Sequence, residues 1–135
     1  MFVLHCSMTM ARILPDESTP GTVRLRDSLV ERTAVVPSLW PVEVANVLLV
    51  ATRHGRIEAG MWSALVEQIG RLPLETDSET GTRALTDALR LAREHGLTVY
   101  DAVYLELALR RRLPLATLDS DLTATARRTG VEVLL

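Results

Sequence analysis

Short apolar runs alternate with longer helical segments along this chain, and the alternation limits the fold more than any other feature of the sequence. The apolar runs cover 2–4, 34–37, 114–118 and 131–135. The segments between them are long enough for helical crossovers, which are the connections that parallel strands require. The pattern therefore predicts an α/β fold with a short parallel sheet covered by helices on both faces.

Helical periodicity places amphipathic helices between these runs. The predicted helices cover a short segment ended by Pro15 and then the ranges 19–32, 38–54, 57–69, 78–95, 98–112 and 120–128. Ser38 and Asp119 are predicted to be N-caps, and Pro41 is compatible with a first helical turn. The predicted stop signals are Gly55, Gly70 and Gly96. The segment 73–75 is too short to assign.

The length of 135 residues predicts a single domain spanning 1–135, with one hydrophobic core. All 15 basic residues are arginine. Because lysine is absent, the sequence excludes a Walker phosphate loop, Schiff-base catalysis and the phosphorylation site of a receiver domain, each of which needs an ammonium group.

Cys6 is the single cysteine, so no disulfide can form within the chain, and the three histidines have no spacing typical of structural zinc. No apolar run reaches the length of a membrane span, and the amino-terminal residues do not resemble a signal peptide. A cytoplasmic protein without a membrane partner is therefore expected. The net charge of -2 is compatible with a local arginine surface that binds nucleic acid.

Several polar residues are predicted to meet at one edge of the sheet. His5 and Ser7 follow the first apolar run, Asp119 follows the run that ends at Leu118, and Glu43 and Asp101 lie in the opening turns of apolar helices. Ligands of parallel α/β sheets bind at the carboxyl ends of the strands. Three carboxylates at one edge repel one another unless a cation lies between them, and a hard divalent ion is the cation that prefers such oxygen ligands.

Each of these acids also has a purely structural explanation. Asp101 completes a capping box with Thr98, Glu43 is favoured near the positive end of a helix dipole, and Asp119 is placed as an N-cap. A divalent ion bound between the three acids would explain all of them at once, so they are interpreted together.

Four spaced motifs carry a resemblance to a known family. They are Phe-Val-Leu-His-Cys-Ser from Phe2, Pro-Ser-Leu-Trp-Pro-Val-Glu-Val-Ala-Asn-Val-Leu from Pro37, Leu-Thr-Val-Tyr-Asp-Ala-Val-Tyr-Leu-Glu-Leu-Ala from Leu97 and Leu-Pro-Leu-Ala-Thr-Leu-Asp from Leu113. In this order the chain resembles the PIN-domain ribonucleases and, among them, the VapC toxins of bacterial toxin-antitoxin pairs. The resemblance implies an α/β/α sandwich, a homodimer, hydrolysis of RNA with Mg²⁺ or Mn²⁺, and neutralisation by a VapB-type antitoxin.

The resemblance also implies roles for individual residues. Glu43, Asp101 and Asp119 fall on three acidic positions of the family, which makes them the expected catalytic residues and metal ligands. The expected supporting residues are Ser7 and Thr117 at small hydroxyl positions, Asn46 one helical turn after Glu43, and Asp121, which lies near the motif but outside it.

His5 stands where the family has a first-strand aspartate. As a metal ligand, its imidazole suits Mn²⁺ or Zn²⁺ better than Mg²⁺, and the exchange removes one negative charge. Three interpretations remain open at this stage: a natural variant with a different metal preference, a natural inactive homologue, or an engineered substitution. Weak or absent activity with Mg²⁺ is the favoured expectation.

The run Arg110-Arg111-Arg112 is a candidate for contacts with RNA phosphates, although arginines at the end of a helix also complement its negative pole. The leading hypothesis is a metal-dependent endoribonuclease toxin. The alternative is a PIN-fold protein without catalysis that binds an antitoxin or RNA.

Overall fold

The computed structural model describes residues 1–13, 20–28 and 32–134. The strands are β1 (Phe2–Leu4), β2 (Ala34–Val36), β3 (Leu74–Thr76) and β4 (Leu115–Ala116). The helices are α1 (Cys6–Ile13), α2 (Pro20–Ser28), α3 (Trp40–Arg53), α4 (Trp62–Gly70), α5 (Thr80–Arg83), α6 (Leu89–His95), α7 (Val99–Arg111) and α8 (Ser120–Arg128). A 3₁₀ turn (Ala59–Met61) precedes α4, and a π-helical turn (Ala84–Ala88) joins α5 to α6.

The four strands are parallel and lie in the order β3-β2-β1-β4. Val3 at the centre of the sheet pairs with Val35 on one side and with Leu115 on the other. The chain moves outward from β1 to β2 to β3 and then returns to the opposite side of β1. The carboxyl ends of β1 and β4 therefore lie at a topological switch point, which is where ligands bind in sheets of this kind.

Helices cover both faces of the central strands, because every residue of β1 and β2 is buried although successive side chains point to opposite faces. Helix α7 lies deepest, since each residue from Ala102 to Ala108 is buried. This architecture confirms the predicted α/β class with a short parallel sheet.

Two predicted helix starts are wrong. Ser38 is not an N-cap, because α3 begins after Leu39 without a side-chain cap, and the Ser38 N–H donates to Thr80 Oγ1 instead. The helix predicted over 57–69 starts as the 3₁₀ turn and becomes α-helical only at Trp62. Gly60 lies inside the predicted first turn, and glycine disfavours a helix there.

Other boundaries also differ from the sequence-based prediction. Gly70 is the last residue of α4 rather than the residue after it, and the segment left unassigned contains β3. The last predicted strand is reduced to one bridge between Leu115 and Val133 within the described part of the chain. Parts of two predicted helices lie outside the described residues. They are position 14 of the helix before Pro15, and positions 19 and 29–31 of the helix predicted over 19–32. No helix in the described ranges is long and apolar enough to cross a membrane.

Candidate active site

Strands β1 and β4 place two polar segments side by side at the switch point. His5 follows β1, and its backbone N–H donates to the Ala116 carbonyl at 3.0 Å. Thr117 follows β4 directly and is completely buried. The residues that sequence analysis placed after separate strands are thus joined by the sheet itself.

A chain of hydrogen bonds runs from Thr117 to Asp101 across this edge. Thr117 Oγ1 lies 3.4 Å from Ser7 Oγ, which lies 2.8 Å from His5 Nδ1, and His5 Nε2 lies 3.1 Å from Asp101 Oδ1. The Ser7 N–H also donates to Nδ1 at 3.3 Å, so Nδ1 accepts. Nε2 is therefore assigned as the donor to Asp101.

Glu43 enters the site from the first turn of α3 and is partly buried. The Tyr104 hydroxyl donates to its Oε1 at 2.7 Å, and Cys6 Sγ lies 3.8 Å from its Oε2. Burial raises the pKa of the Glu43 carboxyl, the hydrogen bond from Tyr104 and the His5 ring oppose that rise, and repulsion by Asp101 adds to it. Glu43 and Asp101 are therefore close enough to interact electrostatically.

The two neighbours of Glu43 are donors and not nucleophiles. Burial, with the negative charge of Glu43 as the next cause, raises the pKa of the Cys6 thiol to about 12. Burial also raises the pKa of Tyr104 far above its usual range. Both groups therefore remain protonated at neutral pH, and Cys6 is a small buried side chain and not a reactive thiolate.

Asp119 occupies the predicted N-cap of α8. Its Oδ1 accepts from the Leu122 N–H at 2.8 Å, while its own N–H donates to Thr117 Oγ1 at 3.0 Å. The capping hydrogen bond uses Asp119 Oδ1, and Oδ2 takes no part in it. The structure thus confirms the capping role of Asp119 and still leaves an oxygen for a ligand.

The donor set fits a divalent cation in its chemistry and charge. Among the described residues, no arginine forms an ion pair with Glu43, Asp101 or Asp119, although this protein pairs many other carboxylates with arginine. The side chains are held by hydrogen bonds, however, and the described ranges contain no group of three His, Cys, Asp or Glu side chains arranged around a common point. One of those hydrogen bonds joins His5 Nε2 to Asp101 Oδ1, and a metal ion would have to compete with it for that oxygen.

Two of the expected supporting residues lie outside this network. Asn46 is exposed on α3, and Asp121 is exposed in the first turn of α8. The Asp121 backbone carbonyl accepts from the Thr125 hydroxyl. Ser7 and Thr117, by contrast, lie inside the network.

Arg110 and Arg111 are held by carboxylates of this chain. Arg110 Nε lies 2.8 Å from Glu106 Oε1, and its two terminal nitrogens donate to Asp77 and Glu79 at 2.8 to 3.1 Å. Arg111 donates to Glu75 at 2.7 Å. The prediction that Arg110 and Arg111 contact RNA therefore gains no support from their surroundings, which explain them as structural ion pairs.

Arg112 is exposed and takes a left-handed conformation with φ of 54° at the end of α7. At about 1.5 Å per residue it lies roughly 16 Å along the helix from Asp101. Any contact between Arg112 and RNA would therefore be remote from the carboxylates.

The sequence analysis did not name Tyr104 as a site residue. Its ring does pack in the core, edge-on to His5 with centroids 4.5 Å apart. Its spacing was an available signal, because residues three apart share a helix face and Tyr104 follows Asp101 by three.

Comparison with known proteins places this chain in a family. The PIN domain model matches residues 11–128, a range that begins after His5 and Ser7. Ribonuclease VapC3 of Pyrobaculum aerophilum is 31% identical over 120 residues, which are 89% of this chain and 90% of that protein. The crystal structure of PAE2754 from Pyrobaculum aerophilum superimposes with a TM-score of 0.71 at 23% identity, covering 98% of this chain and 83% of that one. This chain therefore belongs to the PIN-domain family and, within it, is of the VapC type.

Proposed function

We propose that this protein is a metal-dependent endoribonuclease of the VapC type, a cytoplasmic toxin that cleaves cellular RNA and is neutralised by a VapB-type antitoxin. The observation that carries the proposal is the match, over nearly the whole of both chains, to a relative named as a ribonuclease. The carboxylates of Glu43, Asp101 and Asp119 at the switch point support it, because none of them is neutralised by an arginine in the described part of the chain.

Asp101 and Asp119 are the proposed ligands of Mg²⁺ or Mn²⁺, with Glu43 beside them and His5 as a fourth candidate. A divalent ion bound there supplies an activated water and offsets charge that develops on the phosphate. Ser7 and Thr117 orient the His5 ring through the hydrogen bonds described above. The homodimer implied by the family resemblance is part of this proposal.

His5 makes a second function a real candidate, namely a PIN-fold protein that binds an antitoxin or RNA without cleavage. The specific observation is the hydrogen bond from His5 Nε2 to Asp101 Oδ1. It ties up an oxygen that a cation would need, and no first-strand carboxylate is present to compensate for the loss.

Cleavage of total cellular RNA by the purified chain distinguishes the two candidates. The assay is run with Mg²⁺, with Mn²⁺ and with chelator. Metal-dependent cleavage that Asp101→Asn removes is the expected result. The matched control is Asp121→Asn, which removes a carboxylate that is exposed and outside the network. Absence of cleavage with either metal would favour the non-catalytic candidate.

A further inference from the structure

Tyr104 combines complete burial with a polar contact to a proposed site residue. It is the largest of the fully buried side chains, and its ring meets His5 edge-on at 70°. Its hydroxyl nevertheless reaches Glu43 Oε1 at 2.7 Å. A ring held on all sides by the core cannot follow a moving carboxylate, so the position of the hydroxyl is set by the fold.

The two oxygens of Glu43 have unequal partners. Oε1 accepts a short hydrogen bond from the phenol, whereas the hydrogen-bond partner of Oε2 among the described residues is the Cys6 thiol at 3.8 Å. A phenol donates strongly to a carboxylate, and a thiol is a weak donor. The hydrogen bond from Tyr104 therefore determines the orientation of the Glu43 carboxylate.

We propose that Tyr104 is a positioning residue that holds Glu43 Oε1 and so fixes the orientation in which the Glu43 carboxylate meets a divalent cation. The inference rests on the proposed function, since it assigns the orientation of one proposed site carboxylate. Hydrogen bonds to the carboxylates of metal sites typically change metal affinity by about 10- to 100-fold when they are removed.

A purely structural role for Tyr104 predicts a different outcome. In that case the hydroxyl only satisfies a partly buried carboxylate, so its removal lowers the melting temperature and leaves cation affinity unchanged. Cation affinity is therefore the measurement that separates the two roles.

The test is Tyr104→Phe in the full chain, with Mn²⁺ affinity measured from the electron paramagnetic resonance signal of the free ion. The expected result is a loss of about 10- to 100-fold. Tyr100→Phe is the matched control, because Tyr100 lies one turn earlier on the same helix with 66% of its surface exposed. In a Glu43→Gln background, adding Tyr104→Phe should cause no further loss, since the effect acts through Glu43.

Unchanged Mn²⁺ affinity of Tyr104→Phe, or the same loss in both backgrounds, would overturn the inference and leave the proposed function standing. If Tyr104→Phe alone does not fold, the double variant still tests it, because removing both partners of a buried hydrogen bond is tolerated better than removing one. Its Mn²⁺ affinity must then equal that of Glu43→Gln, and a lower value contradicts the inference. A wild-type chain that neither binds Mn²⁺ nor cleaves RNA would overturn the proposed function and this inference together.

Discussion

The His5 Nε2–H donates to the Asp101 carboxylate at 3.1 Å, so the dipole of this N–H offsets part of the negative charge that a bound cation would neutralise. We expect His5→Asp to strengthen Mg²⁺ binding, since it adds a hard oxygen ligand and one negative charge. Mg²⁺-dependent cleavage of cellular RNA should rise more than tenfold, where each factor of ten corresponds to about 1.4 kcal/mol of barrier. The measurement compares both proteins with Mg²⁺ and with Mn²⁺ in parallel.

Asp119→Asn in the His5→Asp protein is the control for this prediction. It removes a proposed ligand and should abolish the activity that was gained. Equal Mg²⁺-dependent cleavage by the wild-type and His5→Asp proteins would show that position 5 is not a ligand position.

Asp77 gives the protein a pH dependence that does not involve the site. Burial alone would raise the pKa of this carboxyl, but hydrogen bonds from Arg110 and Thr80 outweigh it, and the pKa lies below its ordinary value of 3.8. As pH falls, Asp77 is therefore protonated at a lower pH in the folded state than in the unfolded state. The stabilisation is therefore present above about pH 4 and is lost on acidification through the lowered pKa.

We expect Asp77→Asn to destabilise the fold at pH 7 by about 2 kcal/mol, since it weakens charged hydrogen bonds of a buried group. The difference from wild type should shrink toward pH 2. Urea unfolding at pH 2, 4 and 7 measures it. A difference that stays constant over this range would mean that Asp77 is not the titrating group.

At the scale of elements, Asp119 caps α8 and is also a proposed metal ligand, and one pair of substitutions separates the two roles. Serine is a good N-cap and alanine is not, so Asp119→Ala should cost about 1 kcal/mol of stability while Asp119→Ser costs little. Both lack the carboxylate and should lose metal-dependent cleavage equally. Thermal melts and the RNA assay on both variants give the answer, and full activity in Asp119→Ser would exclude Asp119 as a ligand.

Element ends were predictable where a local signal decides them. Gly96 takes the left-handed conformation that closes α6, and the Thr98 side chain accepts from the Asp101 N–H as a cap for α7. Among the described residues the cap shows only this half of the predicted capping box, and Asp101 Oδ1 contacts His5 Nε2. Ser38 failed as a cap because α3 begins at Trp40, which makes Leu39 the N-cap and leaves Ser38 one position before it.

At the scale of the whole molecule, the strand pattern and the strand-end rule predicted the edge at which the polar residues lie. The rule does not determine which side chain bonds to which. The contact between His5 and Asp101 joins residues 96 positions apart, and that between Tyr104 and Glu43 joins residues 61 apart. Such partners depend on how helices cross the sheet, and no local sequence signal encodes that geometry.

The uncompensated carboxylates also lead to a prediction about the antitoxin. An acidic cluster attracts a cationic side chain, and arginine can pair with carboxylates through two hydrogen bonds. We expect the affinity of a cognate antitoxin to fall when Glu43→Gln and Asp119→Asn are combined, with Asp121→Asn as the control. Calorimetric titration measures the change, and unchanged affinity would mean that the antitoxin binds elsewhere on the surface.

The pairing of Val3 with Leu115 has a consequence for synthesis on the ribosome. Thr117, which holds the His5 partner Ser7, and Asp119 are made more than a hundred residues after His5. A nascent chain that lacks β4 has no strand to bring these groups together. The candidate site is therefore assembled only after β4 has been made, so a chain terminated before β4 carries the early motifs without the complete set of carboxylates.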